Sequence, residues 1–291
     1  EKTIEAGGKM MEFVTLNNGV KMPVIGFGVY QIKDLDECKQ AVLDAIDTGY
    51  RLIDTAQFYG NEVAVGQAIK ETPVLRENLF ITTKVWVANY GYDKTRASVE
   101  QSLKNMELDY LDLVLLHQPF NDYYGAYRAL EDLYQEGKIK AIDVSNFYPD
   151  RLVDLSLYNK IRPAVNQVEV NVFHQQIEVH NYNQKYGVQL EAWAPFAEGR
   201  NNMFENAQLK AIGQKYGKTN AQVILRWLIQ RGIVPLAKTV RKERMKENID
   251  VFDFELSYED MEIIESMNCH HSCFFDHYNV DTVEMIAGLK R

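Results

Sequence analysis

The feature that most constrains this chain is an alternation repeated eight times, a short apolar run followed by a stretch of helical period. The apolar runs cover residues 24–27, 52–53, 80–85, 111–116, 139–145, 164–168, 189–194 and 233–237. Between them, Cys38, Val42, Ala45 and Ile46 recur at helical spacing with Gly49 where a helix C′ residue belongs. Val99, Leu103 and Met106 form another such face, and residues 62–70, 129–136, 152–158 and 177–186 also read as helices. Two helices follow the seventh run, at 206–216 and 220–230, with Asn220 as the expected N-cap of the second. Further helices are expected in the tail near 241–251 and 258–267. Strands joined by helical crossovers must pair in parallel, and eight of them favour a closed (β/α)8 TIM barrel over an open doubly wound sheet. A dinucleotide-binding open sheet would also want G-x-G-x-x-G after its first strand, where residues 26–31 supply only Gly26 and Gly28. Asn18-Gly19 signals a hairpin ahead of the first strand. No linker, repeat or charge block divides residues 11–291, which are expected to form one domain. Residues 1–10 carry no apolar period and read as an extraneous or disordered leader.

Charge narrows the function. The formal net charge is −9, which argues against a broad nucleic-acid footprint or docking on anionic membranes. No run of 18 apolar residues is present, and the three cysteines form no disulfide framework, so a reducing cytoplasm is the expected setting. Cys269 and Cys273 lie near His270, His271 and His277, but their order does not match zinc-finger spacing, and no metal is expected.

In such a barrel, chemistry gathers where the strands end at their C-termini. The second run ends in Asp54 with Tyr59 in the loop beyond, the third in Lys84 and the fourth in His117. The fifth ends in Ser145-Asn146, the sixth contains Gln167, the seventh reaches Trp193, and the eighth leads to Lys238-Thr239. Lys84 falls where burial is expected, and a buried ammonium needs a carboxylate, which Asp54 on the neighbouring strand provides. An ammonium beside Tyr59 favours the phenolate and is expected to lower the phenol's pKa, making it a usable general acid. His117 would donate to a substrate oxygen in the same space. Together these groups would polarise a carbonyl and protonate the alkoxide as it forms.

These residues carry a resemblance. Residues 49–56 (GYRLIDTA) with Tyr59, Asn61 and Glu62, then Thr83-Lys84-Val85-Trp86, residues 112–117 (DLVLLH), Val144-Ser145-Asn146-Phe147, Asn166-Gln167-Val168-Glu169 and Arg244-Met245-Lys246-Glu247-Asn248 stand in an order and spacing that is highly specific. From about Phe13 to the C-terminus the chain resembles the aldo-keto reductases, NADP-dependent (β/α)8 enzymes that reduce carbonyls. The tail Phe274-Phe275-Asp276-His277 looks like that of bacterial members related to the diketogluconate reductases. The resemblance implies a catalytic tetrad of Asp54, Tyr59, Lys84 and His117, the set reached from the strand ends. It also implies that Ser145, Asn146 and Gln167 hold the carboxamide of NADP(H), and that Trp193 stacks on the nicotinamide. Lys238, Thr239 and Arg244 would meet the 2′-phosphate, with Glu247 and Asn248 near the adenine. A dianionic phosphate suits Arg and Lys, so NADPH is expected over NADH, with binding weakened by salt. Tyr30, Trp86 and Gln118 are expected to line the substrate pocket, and the implied protein is a monomer acting on a small carbonyl compound.

Three positions depart from the family pattern. Asp143 stands where Gly is frequent and, two residues before Ser145, shares its face, so it is expected to be hydrogen-bonded or protonated. Gln118 stands where many members have Trp, and Val29 where Thr is common. Two other readings stay open at this point: a barrel that binds NADPH as a redox-sensing regulatory subunit, and a metal-dependent hydrolase. The latter would want His-x-His near the end of the first strand, where 24–30 holds no His.

Overall fold

The computed structural model describes residues 5–6 and 9–289. Eight parallel strands close into a barrel. They are β1 (Gly26–Gly28), β2 (Leu52–Asp54), β3 (Phe80–Val85), β4 (Leu113–Leu116), β5 (Ile142–Ser145), β6 (Val165–Glu169), β7 (Gln189–Trp193) and β8 (Val234–Ala237), in sequential order around the ring, with β8 pairing β1. Each falls inside or within a residue of an expected apolar run. The helices that return the chain are α1 (Leu35–Thr48), α2 (Glu62–Glu71), α3 (Tyr92–Met106), α4 (Tyr123–Gln135), α5 (Pro149–Leu157) and α6 (Ile177–Lys185), then the pair α7 (Ala207–Tyr216) and α8 (Asn220–Gln230). Three more follow β8: α9 (Lys242–Ile249), α10 (Tyr258–Glu265) and α11 (Val280–Gly288). The last of these was not anticipated from the sequence.

Alternation along the strands divides the core. Leu52, Leu113, Leu115, Val165, Val234 and Leu236 form one buried cluster inside the barrel. Leu16 and Met22 join it from the antiparallel hairpin Phe13–Thr15/Lys21–Pro23, which plugs the N-terminal end. The other faces of the strands pack against the helices. Gly26 belongs to the inward set, where a Cβ would sit 2.6 Å from side-chain atoms of Leu236 and Leu52. The apolar fill thus ends midway up the barrel, and polar residues occupy the C-terminal end.

Helix ends follow local chemistry. Asp34 caps α1 by accepting from Glu37 N, and Gly49 closes it at φ 122°. The cap of α8 is Thr219, not the expected Asn220. Thr219 and Gln222 form a reciprocal capping box. Asn220 instead donates to the carbonyls of Met203, Phe204 and Asn206, pinning the loop after β7. The leader expected to lack structure contains a two-residue antiparallel ladder, Glu5–Ala6 with Lys9–Met10.

Helix α2 crosses α3 closely. A Cβ on Gly66 would lie 2.4 Å from Met106 Cα, with backbone on the other side of the contact. Gly66→Ala improves helix propensity by about 1 kcal/mol in isolation but overpacks this crossing at a cost of about 1–3 kcal/mol. The expected outcome is a lower urea midpoint. A midpoint that rises would show that α2 and α3 do not touch through Gly66.

Candidate active site

The C-terminal end of the barrel opens into a cleft of about 720 Å³. Ser145, Gln167 and Trp193 line it from the strands, and Tyr30, Phe58, Tyr59, Trp86, His117, Gln118, Asn146, Arg200 and Lys238 line it from the loops.

Lys84, the penultimate residue of β3, is wholly buried. Its Nζ lies 2.5 Å from Asp54 Oδ1, 3.0 Å from Tyr59 Oη and 3.1 Å from the carbonyl oxygen of Thr55. All three ammonium donors therefore have acceptors. Burial draws the pKa of Lys84 down, but Asp54 and Tyr59 outweigh it and hold the ammonium above its ordinary range.

Tyr59 ends the 3-10 turn Gln57–Tyr59 after β2. That loop is held from within the protein. Asn61 accepts from Thr55 Oγ1 and donates to the carbonyls of Val29 and Ile32, while Glu62 accepts from Thr83 Oγ1. Gln57 accepts from Trp86 N and Asn89 Nδ2. These bonds explain why Asn61 and Glu62 accompany Tyr59 in the sequence. The sign of the phenol's shift differs from expectation. The Lys84 ammonium draws the pKa down, but burial pushes it up by more, and Asp54 adds to burial. Tyr59 is held above its ordinary 10.0, protonated at neutral pH.

His117 follows β4, its ring edge-on to Tyr59 with centroids 5.9 Å apart and to Trp86 at 5.3 Å. Burial, then the charge on Lys84, then His277, hold its pKa well below 6.5, so the imidazole is neutral and carries a single N–H. Nδ1 is buried without a hydrogen-bond partner.

Below this group lies a second layer, of which the sequence reading missed Glu191. Gln167 Nε2 donates to Asp54 Oδ2 at 2.9 Å and to Glu191 Oε1 at 2.5 Å. Glu191 is wholly buried. Burial and then the Asp54 charge push its carboxyl up to about 8, and Oε2 has no partner. Asp143 is equally buried. Its Oδ1 accepts from Val165 N at 2.5 Å, and burial pushes its pKa well above the carboxylate range, as its inward position led us to expect. Glu191 lies two residues before Trp193 on β7, and that spacing was the available signal for it.

The remaining expected residues divide. Ser145 Oγ donates to the carbonyl of Gln167 at 2.8 Å. Asn146, at φ 63°, donates to the His117 carbonyl and to Gln118 Oε1, and accepts from Trp193 Nε1 at 2.9 Å. Trp193 packs against Phe274 and Phe275 of the tail. Gln118 Oε1 also meets His277 Nε2 at 3.0 Å, so the residue that replaces the frequent Trp anchors the C-terminal segment. Trp86 Nε1 donates to the Leu289 carbonyl, and Met285, Ile286 and Leu289 at α11 add an apolar wall. Lys238 lines the cleft and donates to Gln31 Oε1 across its mouth. Thr239, Arg244, Glu247 and Asn248 do not line it. Thr239 accepts from Arg241 N, and Arg244 stands half exposed on α9, 4.0 Å from Glu247 Oε2, while Asn248 is buried. Cys269, Cys273, His270, His271 and His277 are not gathered into a metal-ligand set among the described residues.

Comparison with known proteins agrees with the barrel fold. Residues 24–268 match the model of the aldo/keto reductase family. The chain is 47% identical to glyoxal reductase of Bacillus subtilis over 260 residues, 89% of this chain and 94% of that protein. Among solved structures it is similar to MGS-M4, an aldo-keto reductase from a Medee basin deep-sea metagenome library, with a TM-score of 0.89 and 44% identity over 93% of this chain and all of that one. It is also similar to a Bombyx mori aldo-keto reductase in complex with NADP, with a TM-score of 0.88 and 33% identity over 94% of this chain and 97% of that one. With a family match over most of its length and a relative at this identity, the chain belongs to the aldo/keto reductase family.

Proposed function

We propose that the protein reduces an aldehyde or ketone to an alcohol at the expense of NADPH, with Tyr59 as the proton donor. The observation that carries this reading is Lys84 Nζ bridging Asp54 and the Tyr59 hydroxyl beside a neutral His117 in an open cleft. NADPH, when bound, supplies the hydride that goes to the carbonyl carbon. The donor set along the cleft fits such a cofactor. Ser145, Asn146 and Gln167 offer hydroxyl and amide groups suited to a carboxamide, and the Trp193 ring offers a flat face. Lys238, with Thr239 and Arg244 beyond the cleft, offers hydroxyl and cationic groups suited to a 2′-phosphate, and the adenine would lie towards Glu247 and Asn248.

The chain's own residues do the rest. His117 donates its N–H to the carbonyl oxygen and fixes its direction. Tyr59 gives up its proton as negative charge develops there. Lys84 stabilises the phenolate left behind, and Asp54 keeps Lys84 charged and in place. Tyr30, Phe58, Trp86 and the α11 wall exclude water from the reacting atoms. A small, weakly charged carbonyl compound suits these aromatic walls, a class that includes the substrate named for the Bacillus subtilis relative.

Tyr59→Phe keeps the ring and leaves Lys84 bonded to Asp54 and Thr55. The expected outcome is a fall in kcat on the order of 10²–10⁴-fold with NADPH binding retained, read from NADPH consumption with glyoxal and from fluorescence titration. Equal activity in both proteins would remove Tyr59 as the acid. NADPH binding without turnover of any carbonyl by the unsubstituted protein would favour the regulatory reading.

The pH dependence follows from the raised phenol. Reduction needs the protonated form, so the rate stays level through about pH 7–9 and falls only as pH climbs past 10. Alcohol oxidation needs the phenolate and rises over the same alkaline window. A reduction limb that falls between about pH 6 and 8 would point to a different acid.

A further inference from the structure

Gln167 carries one –NH2 group and one carbonyl oxygen, and the barrel interior determines which way round they face. Its amide meets a carboxyl oxygen on each of two sides, Asp54 Oδ2 at 2.9 Å and Glu191 Oε1 at 2.5 Å. Asp54 is ionised, because its other oxygen holds the Lys84 ammonium. Turning the amide over would press its carbonyl oxygen against that anion, so the nitrogen must face inward. Asp54 takes one N–H. Glu191 takes the second and so holds the amide plane, which would otherwise rotate about Cγ–Cδ, keeping its bond to Asp54 but turning an N–H towards the cleft. With both donors committed, the carbonyl is the only polar end left for a ligand, and Gln167 lines the cleft.

We infer that Glu191 is a positioning residue: by holding the second N–H of Gln167, it makes Gln167 present an acceptor alone to the cleft, which selects a ligand group that donates, the N–H of a nicotinamide carboxamide. This rests on the reading above that Gln167 meets the carboxamide. The chemistry of Glu191 suits the role. It is wholly buried on an inward strand position and makes no contact with the cleft, so it acts only through Gln167. Burial also favours its neutral form, which keeps a carbonyl oxygen for Gln167 while sparing the interior a second negative charge beside Asp54.

The test compares NADP⁺ with its 3-acetylpyridine analogue, which keeps the ring carbonyl but has no N–H to donate. Dissociation constants come from tryptophan fluorescence titration and need no turnover. The unsubstituted protein is expected to prefer NADP⁺ by about tenfold, the value of one hydrogen bond. Gln167→Met is expected to erase that preference. Glu191→Met, close in volume but with no acceptor, is expected to reduce it to within about threefold by freeing the second N–H. Glu191→Asp, whose carboxyl is drawn back by one methylene, serves the same purpose if the Met variant does not fold. Glu191→Gln retains a carbonyl acceptor and is expected to retain the preference. A purely structural role would weaken both ligands alike and leave the ratio unmoved. If folded Glu191→Met or Glu191→Asp keeps the full preference while Gln167→Met loses it, the role of Glu191 is overturned and the carboxamide reading stands. If the unsubstituted protein shows no preference, or Gln167→Met retains it, the carboxamide reading itself fails.

Discussion

One ammonium group buried in the mouth of a barrel organises this structure. Lys84 has no exposed surface, and removing its charge from water costs several kcal/mol unless a carboxylate and further acceptors replace the lost hydration. Asp54, Tyr59 and the Thr55 carbonyl supply that replacement, and each is thereby fixed. The ammonium can balance one carboxylate, and Asp54 is the one it touches. Two further interior acids, Glu191 and Asp143, have no cation in contact, and both are driven towards their neutral forms. Gln167 joins the charged pair to Glu191 through a single amide nitrogen.

The barrel makes this arrangement possible through register. Residues two apart on a strand face the same way, so Asp54, Lys84, Ser145, Gln167 and Trp193 all turn inward at the upper end, above the apolar layers formed by Leu52, Leu115, Val165 and Leu236. The strands thus provide the floor and its charges, while loops and tail provide the walls. The hydrogen bonds of Asn61 and Glu62 hold the turn that carries Tyr59, and Gln118 ties the tail to the floor through His277 and Asn146.

The strands and the polar group at their ends were legible in the sequence because both follow local periodicity. An apolar run has to be buried, and a polar residue at its end has to face the open end of the barrel. Glu191 was not singled out because it sits inside such a run as an isolated acid, and its partner Gln167 lies on another strand. The direction of the Tyr59 shift was misread because the sequence reveals the neighbouring cation but not the depth of burial, which dominates. The cap of α8 was displaced by one residue because Thr219 and Asn220 are both good caps locally. The choice went to the residue whose neighbour Gln222 completes a reciprocal pair, leaving Asn220 to bind the loop after β7. Helix α11 and the tail walls depend on contacts from Trp86 and Gln118, far away in the chain.

The central claim is that the Lys84 cation restrains a phenol that burial would otherwise push still higher. The most direct test is to titrate Tyr59 by ¹³C NMR with ring-labelled tyrosine, assigning its signal by its loss in Tyr59→Phe, in the unsubstituted protein and in Lys84→Met. The account predicts a pKa above 10.0 in the unsubstituted protein and a higher one in Lys84→Met. An unchanged or lower value in a folded Lys84→Met would mean that the ammonium does not act on the phenol, and would contradict the account.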